Sequence, residues 1–167
     1  SGIQGGYASI CTGIALNQKI NINSTDITCC FLGDGTFGEG ALYESLNLSS
    51  LLSVPIIFVV ENNQYAQTTP IKKNLSGDIA ARFSSFNIKN KEFFSNNIFE
   101  FYDDVKEIIF NTRNTRQPYA MIFNTYRFNA HSKGDDFRLE SEIESKKKME
   151  DPLLFLEEKI NKSDLLS

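Results

Sequence analysis

The chain has 167 residues, of which 41% are hydrophobic and 23% are charged, and this balance is typical of one globular domain with a buried core. The formal net charge is −4, and no stripe of basic residues interleaved with aromatic ones is present, which argues against nucleic acid as the main partner. No apolar run approaches the roughly 18 residues that a membrane span needs, so we expect no membrane partner.

The first half of the chain alternates between helical and strand patterns. Small and apolar residues at helical spacing predict a helix over 5–19, and a short apolar run predicts a strand over 26–33 that is covered on both faces. A second amphipathic pattern predicts a helix over 40–52. The β-branched run 54–61 predicts the next buried strand.

The middle of the chain is polar. Segment 62–97 predicts loops with one short helix near 77–83. A helix over 101–113 and a third buried strand over 118–128 follow. Alternation of strands and helices predicts an α/β fold, a parallel sheet with helices on both faces.

The last segments contribute little to the predicted core. Segment 129–138 has few apolar residues and predicts a surface loop, which in this class of fold can lie over a site. Two helices are expected beyond it, the second beginning at Asp151 and Pro152. We therefore expect a single domain over 1–167, with a C-terminal helical extension over 139–167.

Cys29 and Cys30 are adjacent within the first apolar strand, without the spacing of a disulfide framework or a metal site. Buried, reduced thiols are the expected state, and they indicate a reducing compartment. We expect the bacterial cytoplasm, with the mitochondrial matrix as the alternative.

Short polar motifs follow two of the predicted strands: "GDG" at 33–35 and "NN" at 62–63, separated by 26 residues (36–61). Asp34 and Asn63 should lie at the carboxyl edge of the sheet, where this fold class binds ligands. Carboxylate and amide oxygens suit Mg²⁺, and the amino end of the helix beginning near Gly40 favours an anion. Either motif alone is usually a tight turn, but together they predict a diphosphate bridged by Mg²⁺.

Two acidic residues near these motifs have a simpler interpretation. Glu44 is expected to stabilise the amino end of the helix that begins near Gly40. Glu39 is expected to support the site or to lie at a subunit interface.

The pattern of "GDG", then 26 residues, then "NN" resembles the thiamine diphosphate-binding motif. The surrounding sequence resembles the alpha subunit of thiamine diphosphate-dependent 2-oxo acid dehydrogenases. This group contains the pyruvate, branched-chain 2-oxo acid and acetoin dehydrogenases. The resemblance includes "SGIQGGYASICTGIAL" at 1–16 and "YRFNAHSKGDDFR" at 126–138, and runs to about residue 156. It implies a thiamine diphosphate-binding fold. The abrupt beginning of the sequence suggests that an upstream part is missing.

The resemblance implies a ligand set for the cofactor thiamine diphosphate and for Mg²⁺. The Mg²⁺ ligands would be Asp34, the Asn63 side chain and the backbone carbonyl of Tyr65. Main-chain groups would contact the diphosphate at Gly35 and Thr36 and the aminopyrimidine at Gly2 and Gln4.

The same resemblance assigns roles in segment 129–138. His131, the only histidine, matches a catalytic loop histidine near the diphosphate, and imidazole can exchange a proton near neutral pH. Ser132 matches a serine that mitochondrial relatives phosphorylate, and Arg127 is expected to anchor the loop or an anion. Asn129 stands where pyruvate-type members often carry another histidine, which weakens the inference that pyruvate is the substrate.

The implied function is oxidative decarboxylation of a 2-oxo acid, or conversion of acetoin, with acyl transfer to a lipoyl domain. A beta subunit would supply the activating glutamate within an α2β2 heterotetramer, so this chain alone should be inactive. Two alternatives stay open: another split thiamine diphosphate enzyme of the transketolase type, and a degenerate subunit without catalysis.

Overall fold

A computed structural model describes residues 4–162, so Gly2 lies outside the described residues. The elements in this part are, in chain order, α1 (Gly6–Ile20), β1 (Thr28–Gly33), α2 (Gly40–Leu51), β2 (Ile56–Asn62), β3 (Tyr65–Ala66), β4 (Thr69–Pro70), α3 (Ile71–Asn74), α4 (Ile79–Ser85), β5 (Lys89–Phe93), α5 (Ile98–Thr115), β6 (Tyr119–Asn124), α6 (Glu140–Glu150) and α7 (Pro152–Lys162). A short 3₁₀ helix, Asp34–Gly38, joins β1 to α2.

Four strands form a parallel sheet in the order β1-β2-β6-β5. The register pairs Gly33 with Glu61 and Asn62 with Asn124. The carboxyl ends of β1, β2 and β6 therefore meet at one edge of the sheet. The short strands β3 and β4 form an antiparallel ribbon directly after β2.

Helices cover both faces of the sheet, which confirms the predicted fold class. α1, α2 and α4 enclose the larger core, whose largest side chains include Phe37, Phe58 and Phe83. α5 encloses a smaller core on the other face, where the ring of Phe93 lies 4.8 Å from that of Phe123 between centroids. Alternation along β2 divides its side chains between the two cores, because successive residues of a strand point to opposite faces.

The short helix predicted near 77–83 is confirmed as α4, but the prediction of loops for the rest of 62–97 was wrong, since this segment also contains the edge strand β5. Its sequence "KNKEF" has one buried apolar residue, Phe93, and therefore gives a weak strand signal. Pairing with β6 stabilises it, and Lys91 adds an ion pair to Asp104 of α5 at 2.6 Å. The third strand was also predicted too long, because β6 ends at Asn124.

β1 is not covered on both faces, contrary to prediction. Cys30 is buried as expected, but Cys29 is exposed and Phe31 is 59% exposed. β1 lies at the edge of the sheet, and its second face is open where α5 covers the same face of β2 and β6.

α6 and α7 follow the sheet as predicted, and neither helix contains a buried residue. Glu142 of α6 accepts a hydrogen bond from the hydroxyl of Tyr126 at 3.0 Å. The ammonium group of Lys159 in α7 lies 5.5 Å from the ring centroid of Phe99. None of the helices within residues 4–162 is long and apolar enough to cross a bilayer.

Candidate functional site

Asp34 is a buried carboxylate at the tip of β1, where the 3₁₀ helix begins, and only 1% of it is exposed. Burial raises the pKa of this group above its ordinary value, and backbone N–H groups of Gln64, Gly35 and Tyr65 directed at the carboxylate partly oppose that shift. The Oδ2 atom is buried and has no hydrogen-bond partner within residues 4–162. A buried oxygen of this kind is suited to a cation.

The loop after β2 comes close to the Asp34 turn. Asn63 Oδ1 accepts a hydrogen bond from the Tyr65 N–H at 3.0 Å. An amide oxygen has two lone pairs, so the second one can still bind a cation. A Cβ atom on Gly35 would lie 2.7 Å from the Cβ of Ala66, so only glycine allows this approach. The "GDG" turn is therefore packed against the segment that follows the "NN" motif.

One cavity of about 850 Å³ brings the predicted site residues together. The predicted residues that line it are Gln4, Asp34, Gly35, Thr36, Asn63, Tyr65 and His131. Within residues 4–162 there is no group of three or more His, Cys, Asp or Glu side chains that could hold a metal ion. A cation beside Asp34 would therefore depend on amide, carbonyl or external oxygens, the donor types that Mg²⁺ accepts.

The start of α1 forms another wall of this cavity. Gln4 Oε1 accepts hydrogen bonds from Thr36 Oγ1 and from the Tyr7 hydroxyl, each at 3.3 Å. Gly5 adopts a φ of 74°, and a Cβ there would lie 2.9 Å from the Cβ of Glu39. The Gln4 side chain thus contacts the turn after Asp34, which the expectation of purely main-chain contacts did not include.

The sequence did not identify Tyr7 as a site residue. It lines the cavity, and burial raises the pKa of its hydroxyl. Tyr7 follows Gln4 by three residues at the start of a helix, and residues with this spacing lie on the same side. This spacing was the signal in the sequence that could have identified Tyr7 as a site residue.

The loop that carries His131 closes another side of the cavity. His131 is exposed, and Ser132 beside it is also exposed. Arg127 anchors the loop as expected: its Nε donates to the carbonyl of Asn129 at 3.0 Å and its guanidinium donates to the carbonyl of Gln67 at 2.9 Å. The loop is thereby tied to the segment that follows Tyr65.

Arg138 fastens the far end of this loop. It pairs with Asp136 at 2.6 Å and donates to the Arg127 carbonyl at 2.6 Å. Its guanidinium carbon also lies 5.0 Å from the ring centroid of Tyr126 and 5.5 Å from that of Tyr65. The hydrogen bonds from Arg138 lower the pKa of Asp136 to about 2.

The expectation for Glu44 was wrong. The first turn of α2 contains no acidic residue, and the exposed Glu39 occupies the N-cap position without making a side-chain capping bond. Because Glu39 is the N-cap residue, its charge lies at the amino end of this helix. Glu39 also lines the cavity.

Comparison with known proteins gives the family to which the chain belongs. The sequence matches the family model described as dehydrogenase E1 component over residues 1–167. It is 32% identical over 155 residues to the pyruvate dehydrogenase E1 component subunit alpha of Rickettsia bellii, covering 91% of this chain and 47% of that protein. It is 33% identical over 136 residues to the alpha subunit of acetoin:2,6-dichlorophenolindophenol oxidoreductase of Bacillus subtilis, covering 81% of this chain and 40% of that protein.

Solved structures support the fold. A transketolase from Pichia stipitis superposes with a TM-score of 0.63 at 23% identity, over 74% of this chain and 20% of that one. The chain spans about half the length of the Rickettsia relative. Because the family model covers the sequence from end to end, the chain belongs to the dehydrogenase E1 component family.

Proposed function

We propose that this chain binds the diphosphate of thiamine diphosphate through Mg²⁺, as the alpha-type subunit of a 2-oxo acid or acetoin dehydrogenase. The observation that carries the proposal is Asp34, a buried carboxylate with one unpartnered oxygen at the carboxyl edge of a parallel sheet. Membership of the dehydrogenase E1 component family supports it. The relatives' names support both substrate classes.

The proposed cation ligands are Asp34 Oδ2, the Asn63 amide oxygen and the Tyr65 carbonyl. Gly35 and Thr36, in the turn after Asp34, are proposed to contact the diphosphate through their backbone N–H groups. Gln4, together with Gly2 outside the described residues, is proposed to contact the aminopyrimidine. Bound thiamine diphosphate would supply the electron sink for cleavage beside a carbonyl.

His131 is the proposed catalytic residue on this chain. It lines the same cavity as Asp34, and Arg127 and Arg138 hold its loop there. Its imidazole can hold or donate a proton to an oxygen of the substrate. Arg127 also lines the cavity and adds a positive charge.

The partners are part of the same proposal. A beta-type subunit would supply the glutamate that activates the cofactor, and a lipoyl-bearing acyltransferase would accept the acyl group. Within residues 4–162, the cavity contains two glutamates, Glu39 and Glu61. A transketolase-like module is disfavoured by the family assignment, and a non-catalytic subunit is one outcome of the test.

Isothermal titration calorimetry tests the cofactor site directly. The full-length protein, purified with its beta-type subunit, is titrated with thiamine diphosphate in the presence of Mg²⁺. We expect saturable binding by the wild type and none by Asp34→Ala, because the variant removes the only charged ligand. Asp26→Ala is the matched control. Asp26 is an exposed aspartate that lies just before the first residue of β1, whereas Asp34 lies just after the last.

Equal binding by wild type and Asp34→Ala would refute the Mg²⁺ site. Decarboxylation assays across 2-oxo acids, and conversion assays with acetoin, then assign the substrate. A complex that binds the cofactor but converts none of these substrates would support the non-catalytic alternative.

A further inference from the structure

A row of polar side chains crosses the sheet near its carboxyl edge. Glu92 of β5, Asn124 of β6 and Asn62 of β2 belong to three neighbouring strands. Asn124 Nδ2 donates to Glu92 Oε2 at 3.2 Å, and Asn62 Nδ2 donates to Asn124 Oδ1 at 2.7 Å. Gln64 Nε2 then donates to Asn62 Oδ1 at 2.7 Å, which extends the row into the loop after β2.

Glu92 sets the direction of the hydrogen bonds in this row. An ionised carboxylate only accepts hydrogen bonds, so Asn124 must turn its amide nitrogen towards Glu92. The carbonyl of Phe93 accepts from the same nitrogen at 3.4 Å and favours the same orientation. The oxygen of Asn124 therefore faces Asn62, whose oxygen in turn faces Gln64.

The row ends at a residue with an unusual backbone. Gln64 has a φ of 68°, a region that residues with a side chain rarely occupy unless their surroundings hold them there. Its backbone N–H is directed at the Asp34 carboxylate, and its carbonyl accepts from the Ile71 N–H at 2.8 Å. The bond from its side chain to Asn62 helps to keep this conformation.

We propose that Glu92 and Asn124 are positioning residues that orient the loop 62–65 for cation binding. Neither residue lines the cavity. They act through Asn62 and Gln64, so that the loop presents the Asn63 amide oxygen and the Tyr65 carbonyl beside Asp34. The identity of the ligand rests on the proposed function, but the positioning itself is a property of the cofactor-free protein.

Removal of the hydrogen bond between Asn124 and Glu92, followed by its reversal in a double variant, tests this proposal. Asn124→Asp places two carboxylates in contact and removes the donor to Glu92. We expect the Kd for thiamine diphosphate in the presence of Mg²⁺ to rise by about 10–100-fold, as for other residues that orient metal ligands. In the double variant Asn124→Asp/Glu92→Gln, the new glutamine amide donates to the aspartate, whose other oxygen still accepts from Asn62. The double variant should therefore recover most of the affinity.

Hydrogen–deuterium exchange of the cofactor-free protein gives a second readout. The amides of Gln64 and Tyr65 should exchange faster in Asn124→Asp and return towards the wild-type rate in the double variant. Asn114→Asp, the same change at an exposed site on α5, is the control and should alter neither measurement. Thermal unfolding recorded in parallel separates a local effect from global destabilisation.

The outcomes are distinguishable. Wild-type exchange in Asn124→Asp, or a double variant as impaired as the single one, would overturn the positioning proposal. If the wild type binds no cofactor, or if Asp34→Ala binds as tightly as the wild type, the proposed function fails. The exchange rates then still decide whether Glu92 and Asn124 orient the loop.

Discussion

At the scale of a single residue, Asp34 is expected to lower the stability of the cofactor-free protein in favour of the proposed cation binding. Its carboxylate is buried, and desolvation raises its pKa above the ordinary value of 3.8, even though three backbone N–H groups and Arg127 oppose the shift. A raised pKa means that ionisation costs the folded state more than the unfolded state. The cofactor-free protein should therefore carry a destabilising charge at neutral pH, which a bound cation would offset.

Asp34→Asn should stabilise the cofactor-free protein while it abolishes Mg²⁺-dependent binding. The free energy of unfolding at pH 7 should rise by about 1 kcal/mol, the usual scale of a single stabilising substitution. Because the cost is complete above the folded pKa and absent below the unfolded pKa of about 3.8, the advantage of the variant should shrink as the pH falls between these two values. Urea unfolding in EDTA between pH 4 and 8 measures this, and a variant less stable than wild type at pH 7 would contradict it.

Elements with strong local patterns were predictable, and elements defined by their neighbours were not. β2 is apolar and β-branched, so its position followed from the sequence. β5 has a polar sequence and exists because β6 pairs with it, a contact between distant parts of the chain. The motifs at Asp34 and Asn63 indicated the candidate site, but the row from Glu92 to Gln64 depends on strand order, which composition does not reveal.

Arg138 ties the end of the loop 129–138 to the residues around it. It bonds Asp136 and the backbone at Arg127, and two tyrosine rings cover it. Arg138→Gln should increase hydrogen–deuterium exchange in residues 127–138 with little change in the thermal midpoint, because these contacts lie outside both cores. Lys133→Gln, at an exposed residue of the same loop, is the control. Unchanged exchange in Arg138→Gln would show that other contacts hold the loop.

The pairing of Asp136 with Arg138 also predicts how the loop responds to acid. The pKa of Asp136 is lowered from 3.8 to about 2, so the contribution of its charge is present above 3.8 and is lost as the pH falls towards 2. Loop protection should therefore be the same at pH 7 and at pH 5. A loss of protection between those values, measured by exchange corrected for its intrinsic pH dependence, would implicate a different group.

At the scale of the whole molecule, the site is attached to the larger core through aromatic rings. Phe37 lies in the same 3₁₀ helix as Asp34 and packs edge-to-face on Phe83, with centroids 5.6 Å apart. Phe83 of α4 also contacts Phe58 in the middle of β2, at 5.8 Å. The turn that carries the proposed cation ligand is thus supported by the same side chains that hold α4 against the sheet.

Phe83→Ala should therefore reduce stability and cofactor affinity together. Phe83 is fully buried, and its truncation should cost about 3–5 kcal/mol of unfolding free energy, measured by urea denaturation. The cavity also removes the support beneath Phe37, so the Kd for thiamine diphosphate with Mg²⁺ should rise under conditions where the variant is still folded. Phe110→Ala, at a residue that is 62% exposed on α5, should change stability by only about 0.5 kcal/mol. If Phe83→Ala lost stability but bound the cofactor as tightly as wild type, the turn at Asp34 would be held by β1 and the loop 62–65 alone.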